Sequence, residues 1–118
     1  MTALRRFVPL LLLVAALWGG VQLLGGVQDE RRWREVAQAA APGDIVMLSS
    51  QTCAYCDQAR TWLSERGVPF RECVIERDAG CAAAYRAALS PGTPTLIVRG
   101  QRIVGFDIDR VAQALKRG

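Results

Sequence analysis

Histidine is absent from the 118-residue chain. That absence removes His-based acid–base catalysis, His-ligated metal centres and c-type haem attachment, where a histidine would follow the second cysteine of a C-x-x-C pair; here Asp57 does. There is no internal repeat and no low-complexity linker, and the length leaves room for one small domain at most. A surface suited to nucleic acid is missing too. With Arg5 and Arg6 set aside, 13 basic residues face 11 acidic ones and no basic stripe interleaves with aromatics, so no nucleic-acid partner is expected.

Charge is missing altogether from Phe7 to Val27, 21 residues in which only Gln22 is strongly polar. At ~1.5 Å per residue, such a helix crosses a ~30 Å hydrocarbon core. Residues 1–27 are therefore expected to be a membrane anchor, with 7–27 in the bilayer, Arg5 and Arg6 inside, and the domain outside the cytoplasm in a periplasmic-type compartment where disulfides persist. The competing reading is a cleaved signal peptide and a secreted form. The Leu10 to Leu13 run suits an h-region, but a clean A-x-A site is missing and the apolar run continues through Leu23 and Leu24. A linker helix is expected within 28–43, because Trp33, Val36, Ala37 and Ala40 recur at helical spacing before Pro42-Gly43. Trp33 on that stripe reads as packing.

What the chain does have is four cysteines, two of them in Thr52-Cys53-Ala54-Tyr55-Cys56. An apolar run, Ile45 to Leu48, leads into this stretch as a strand covered on both faces, and a helix over 53–66 leads out, with Cys56, Ala59 and Leu63 on one stripe. Cys53 would then sit at a helix N-terminus, where unpaired N–H groups and the helix dipole favour the thiolate. Cys56, one turn on, could attack a mixed disulfide formed on Cys53 and release the partner. Tyr55 reads as a surface contact beside the thiol.

Further along, 69–75 reads as a second strand, and Asp78 caps a helix over 79–89 with Cys81, Tyr85, Ala88 and Leu89 on its stripe. Ser90-Pro91-Gly92-Thr93-Pro94 breaks regular structure. Thr95 to Val98 and Arg102 to Val104 flank Arg99-Gly100-Gln101 as a hairpin, and a last helix carries Ile108, Val111, Ala112 and Leu115 on one face. Arg71, Arg77 and Arg99 read as solvated charges. The order predicts an α/β fold, one mixed four-stranded sheet flanked by helices, over 44–118.

Three motifs in order, Cys53-Ala54-Tyr55-Cys56, Thr93-Pro94-Thr95 and Gly105-Phe106-Asp107, resemble the glutaredoxin branch of the thioredoxin superfamily over about residues 44–117. The resemblance implies a thioredoxin-like fold and a thiol–disulfide oxidoreductase acting on protein disulfides or glutathione mixed disulfides. It implies no resident cofactor, with glutathione as a candidate co-substrate. It makes Cys53 the nucleophile, Cys56 the resolving cysteine and Pro94 a cis-proline. Substrate contacts would come from Tyr55, Thr93, Pro94, Gly105, Phe106 and Asp107. The chain departs from the family pattern in having Ser50, Gln51 and Thr52 where a lysine often precedes the first cysteine, Ala54 where proline is common, and Phe106 in place of a smaller residue. These departures weigh toward a protein-disulfide substrate.

Cys73 and Cys81 admit three readings: small core residues, a relay pair exchanging with the first, or a structural disulfide. The disulfide is the expectation, because Cys73 can face the side of the sheet on which the Cys81 stripe packs. It is expected to be silent in catalysis. A metal site would need Cys53 and Cys56 joined by Cys73 and Cys81, and none is expected. The alternative function is a membrane-tethered metal-binding or protein-binding module, with the first pair as soft ligands for Cu(I) or zinc.

Overall fold

A computed structural model describes residues 2–117. The elements are α1 (Thr2–Ala39), β1 (Ile45–Ser49), α2 (Ala54–Glu65), β2 (Arg71–Val74), α3 (Ala79–Ala87), β3 (Thr95–Val98), β4 (Gln101–Val104) and α4 (Ile108–Arg117). The chain divides into two units between Arg31 and Arg32, inside α1.

The first unit is apolar helix. Leu10 to Leu13, Leu17, Trp18, Leu23 and Leu24 are each more than half exposed, and the best 18-residue window has a mean hydropathy of 2.2 with none of it buried. It is long and apolar enough to cross a membrane. The linker helix expected over 29–40 is not a separate element. With no proline between Pro9 and Pro42, every backbone donor in this stretch is retained, and one helix runs through both segments.

In the second unit the strand order is β2-β1-β3-β4, with β1 parallel to β2 and the remaining pairs antiparallel. This is the mixed four-stranded sheet that the sequence predicts. β1 is central, and its side chains alternate between two apolar layers. Ile45 joins Leu96, Val98, Ile103, Leu63 and Val111 on one face, while Leu48 joins Cys73 and Cys81 on the other. Cover on both faces explains why β1 reads as a continuous apolar run. Trp33 and Val36, from the last turns of α1, are buried in the first layer.

Three local expectations are corrected. β2 starts at Arg71, two residues after Pro69, which has no N–H to give a ladder. α3 ends at Ala87, and Leu89, expected on the buried stripe, is 82% exposed with φ +52°. The chain turns there because the Arg102 guanidinium takes the carbonyls of Ala88 and Leu89, at 2.8 and 3.0 Å, which the ended helix leaves unpaired. The hairpin loop is two residues, since Gln101 already pairs with Val98, and Arg99 and Gly100 both have positive φ, as a type I′ turn requires.

Arg99 is also no solvated charge. Its guanidinium donates to the carbonyls of Leu115 and Ala39, at 2.5 and 3.2 Å, and to the Asp44 carboxylate at 3.1 Å. Its backbone N–H donates to the Asp44 carbonyl at 2.9 Å. These four bonds tie the ends of α1 and α4 to the start of β1 and offset the strain of a side chain at φ +46°. The N–H of Ala41, and next the Arg99 guanidinium, hold the Asp44 carboxyl below its ordinary value.

Candidate active site

The register brings three segments to one end of the sheet. Leu48 lies opposite Thr95 and Thr95 opposite Val104, so the exit of β1, the entry of β3 and the exit of β4 are neighbours. Cys53 follows the first of these, Thr93-Pro94 precedes the second and Gly105 follows the third.

Cys53 is the N-cap of α2, with extended backbone at φ −115° and ψ 104°, and its Sγ accepts the N–H of Cys56 at 3.1 Å. A sulfur here receives one of the N–H groups that a helix start leaves without a backbone partner. Cys53 is half-buried and Cys56 fully buried, and the two are joined as a disulfide with Cα atoms 5.2 Å apart. Tyr55, between them, is 75% exposed.

The Thr93-Pro94 bond is cis, with Pro94 buried and Thr93 half-buried. The Pro94 carbonyl accepts the Gly105 N–H at 2.8 Å, which fastens the β4 exit to the proline turn; Gly105 has φ +79°, a backbone state glycine takes without penalty. Phe106 is half-buried, its ring 5.7 Å from Trp33 in a stacked arrangement and 5.6 Å from Trp62 in a tilted one. The Arg66 guanidinium lies 5.1 Å from the Trp33 ring centre on the same cluster. The larger residue in this turn thus sits among indoles from α1 and α2. The Asp107 carboxylate accepts the N–H groups of Asp109 and Arg110 at 3.0 and 3.4 Å and caps α4.

Cys73 and Cys81 are bonded to each other, with Cα atoms 5.4 Å apart, and are only 4% and 6% exposed within the layer shared with Leu48. Asp78 caps α3 by accepting the Cys81 N–H at 3.1 Å. The second disulfide therefore lies in the apolar layer under α3, while the first lies at the end of the sheet.

A carboxylate network that sequence reasoning missed joins β2 to the end of β1 and to α2, the elements on either side of the Cys53 loop. Glu72 accepts from Arg60 Nε at 2.6 Å through Oε2 and from the buried Ser49 hydroxyl at 2.9 Å through Oε1, and the second Arg60 arm also donates to Oε1. Arg60 also donates to Asp57 at 2.8 Å. Arg60 chiefly, and Ser49 after it, hold the Glu72 carboxyl below its ordinary value, and Glu72 in turn raises that of Arg60. The available signal was Glu72 beside Cys73 in a four-residue strand, its charge next to that of Arg71. A polar cleft of about 500 Å³ opens here, lined by Ser50, Gln51, Asp57, Arg60, Glu72 and Arg77.

Comparison with known proteins agrees with this geometry. Among solved structures, the chain is similar to the thioredoxin-like protein BC3987, with 24% identity, a TM-score of 0.52, and coverage of 59% of this chain and 97% of that one. It is similar to the glutaredoxin from Methanosarcina mazei Go1, with 24% identity, a TM-score of 0.52, and coverage of 62% and 78%. It is also similar to buckwheat glutaredoxin in its complex with glutathione, with 15% identity, a TM-score of 0.51, and coverage of 75% and 90%. No curated protein sequence matches the chain. The sequence model of the glutaredoxin family matches residues 45–103, half of the chain, from the start of β1 into β4. With that match lying over a thioredoxin-like sheet and a C-x-x-C pair at the head of α2, the chain belongs to the glutaredoxin family.

Proposed function

We propose that the protein is a membrane-anchored thiol–disulfide oxidoreductase in which Cys53 is the nucleophile and Cys56 the resolving cysteine. The observation that carries this reading is the N-cap sulfur. Cys53 Sγ accepts the Cys56 N–H at 3.1 Å, and Cys56 is buried directly behind it. In the reduced enzyme the helix N-terminus favours the Cys53 thiolate. The thiolate attacks one sulfur of a substrate disulfide, forms a mixed disulfide and expels the other sulfur as a thiolate that takes up a proton. Cys56, deprotonated, then attacks Cys53 Sγ, closes the internal disulfide and releases the second substrate thiol. Two electrons pass from the pair to the substrate; the reverse sequence oxidises a dithiol.

Protein disulfides are the favoured substrates, with glutathione mixed disulfides as the second class. The proline turn of Thr93 and Pro94 and the exposed Tyr55 would flank an extended substrate, with Gly105 and Phe106 beyond them. The apolar half of α1 supports placement in a membrane; the reading that the domain lies on the non-cytoplasmic side rests on Arg5 and Arg6 ahead of that segment and on the disulfides after it. The test uses the full chain in detergent micelles, reduced and presented with insulin or with a glutathionylated peptide. Reduction of insulin that is lost in Cys53→Ser supports the reading; insulin and peptide both left untouched by the unsubstituted protein would overturn it.

A further inference from the structure

The loop that delivers Cys53 is gripped from the side. Between β1 and α2 the chain runs through Ser50, Gln51 and Thr52, of which Gln51 and Thr52 are exposed. An exposed three-residue loop has no packing of its own to hold it. Glu76, on the turn after β2, accepts the Gln51 N–H at 3.2 Å through one carboxylate oxygen and the Ser50 hydroxyl through the other. The Ile75 N–H donates to the Ser49 carbonyl at 3.0 Å beside it.

The turn that presents Glu76 is itself constrained. The Arg77 N–H returns to the Val74 carbonyl at 3.1 Å, and the segment is closed at its base by the Cys73–Cys81 bridge, whose ends are eight positions apart in sequence. Glu76 lies three residues into that closed loop. The Ser50 bond, ahead of the Gln51 bond, holds the Glu76 carboxyl below its ordinary value, so it is an ionised acceptor at neutral pH. The charged groups around it are Arg77 on its own turn and Asp57, Arg60 and Glu72, which line the adjoining cleft with Ser50 and Gln51.

We infer that Glu76 is a positioning residue for the Cys53 thiol, fixing the Ser50–Gln51 segment so that Cys53 keeps its N-cap geometry when the pair is reduced. Glu76 acts through two hydrogen bonds to the loop. The inference rests on Cys53 being the nucleophile, as proposed above. It also gives the second disulfide a part in the chemistry without electron transfer, as the frame that holds Glu76 in place.

The test measures the rate at which iodoacetamide alkylates Cys53 in the reduced full chain in detergent micelles, from pH 5 to 9, with the alkylated residue identified by mass spectrometry. Glu76→Ala should lower the rate constant at pH 7 about tenfold, the scale of losing charge-assisted hydrogen bonds. Glu76→Gln, which keeps an acceptor of the same shape, should stay within about threefold of the unsubstituted protein. Ser50→Ala, which removes one bond and leaves β2 and its bridge alone, should fall between them and keeps the test decisive if Glu76→Ala does not fold. Alkylation at the unsubstituted rate in Glu76→Ala or in Ser50→Ala would overturn the inference, as would equal losses in Glu76→Ala and Glu76→Gln. A Cys53 that stays unreactive in the unsubstituted protein would overturn the proposed function with it, whereas a reactive Cys53 indifferent to Glu76 overturns this inference alone.

Discussion

The two disulfides of this chain are the same bond in two environments. Cys53–Cys56 caps a helix at the end of the sheet, with Cys53 half-buried and a polar cleft lined by Ser50, Gln51 and Asp57 from the neighbouring loop and helix. Cys73–Cys81 lies in an apolar layer against Leu48, Val46, Ile97 and Tyr85, with both residues nearly inaccessible. Exchange requires a thiolate and an in-line approach by a second sulfur, and only the first environment offers both. The second offers rigidity. In the proposed function, surroundings rather than spacing separate the pair assigned to exchange from the pair assigned to bracing.

The largest expected effect is at Cys53. Cys53→Ser should lower exchange by roughly a thousandfold or more, the scale of removing a nucleophile, while thermal unfolding, compared with that of the unsubstituted protein whose Cys53–Cys56 pair is reduced, shifts little. Cys56→Ser should leave Cys53 able to attack but unable to be released, so mixed disulfides with substrate should accumulate on a non-reducing gel. If Cys56→Ser turns over protein disulfides as fast as the unsubstituted protein, the division of roles between the two is wrong.

Removing the other bridge should have the opposite profile. For so short a loop the chain-entropy estimate of its stabilising effect is about 2–3 kcal/mol, and losing it should lower the melting temperature by roughly 10 °C or more. Cys73→Ala with Cys81→Ala should still exchange disulfides, with the rate reduced about tenfold at most through the freed Glu76 turn. Loss of turnover as deep as that of Cys53→Ser, with the melting temperature unchanged, would make the second pair a relay.

The smallest effect sharpens the contrast between the polar flank and the apolar layer. Glu72 has a folded-state pKa below its ordinary 4.5, chiefly through Arg60. The unfolded chain therefore binds more protons between the two values, and the stabilisation by the Arg60–Glu72 pair, fully present above about pH 4.5, is lost as pH falls through the lowered folded value. Glu72→Gln should flatten the acid limb of a stability profile and leave the neutral plateau lower by about 1 kcal/mol, because the group is partly exposed. An acid limb that is unchanged would assign the pH dependence to other carboxylates.

Much of this was legible in the sequence because the governing signals are local. The apolar run of β1, the helical stripe of Cys56, Ala59 and Leu63, and the Asp78 cap each depend on neighbours along the chain, and the structure has them at those places. The four-stranded sheet follows from their order. What escaped depends on side chains that reach across the fold. Arg99 reads as a surface charge until the carbonyls of Ala39 and Leu115 are brought to its guanidinium. Leu89 reads as core until Arg102 draws the end of α3 into a turn. Phe106 looks like a bare departure from the family pattern until Trp33 and Trp62 are placed around it. At the site, the cysteines and the proline turn could be named from their motifs, but Glu72 and Glu76, which hold the flanking segments, carry no motif.

The central claim is that environment assigns chemistry to Cys53–Cys56 and structure to Cys73–Cys81. The most direct measurement is a redox titration of the full chain in detergent micelles, with each cysteine quantified by differential alkylation and mass spectrometry. The account predicts that Cys53 and Cys56 open together at the less reducing potential, with Cys53 alkylated first at neutral pH, while Cys73 and Cys81 stay joined until more strongly reducing conditions. Opening of Cys73–Cys81 before Cys53–Cys56, or of all four at one potential, would contradict it.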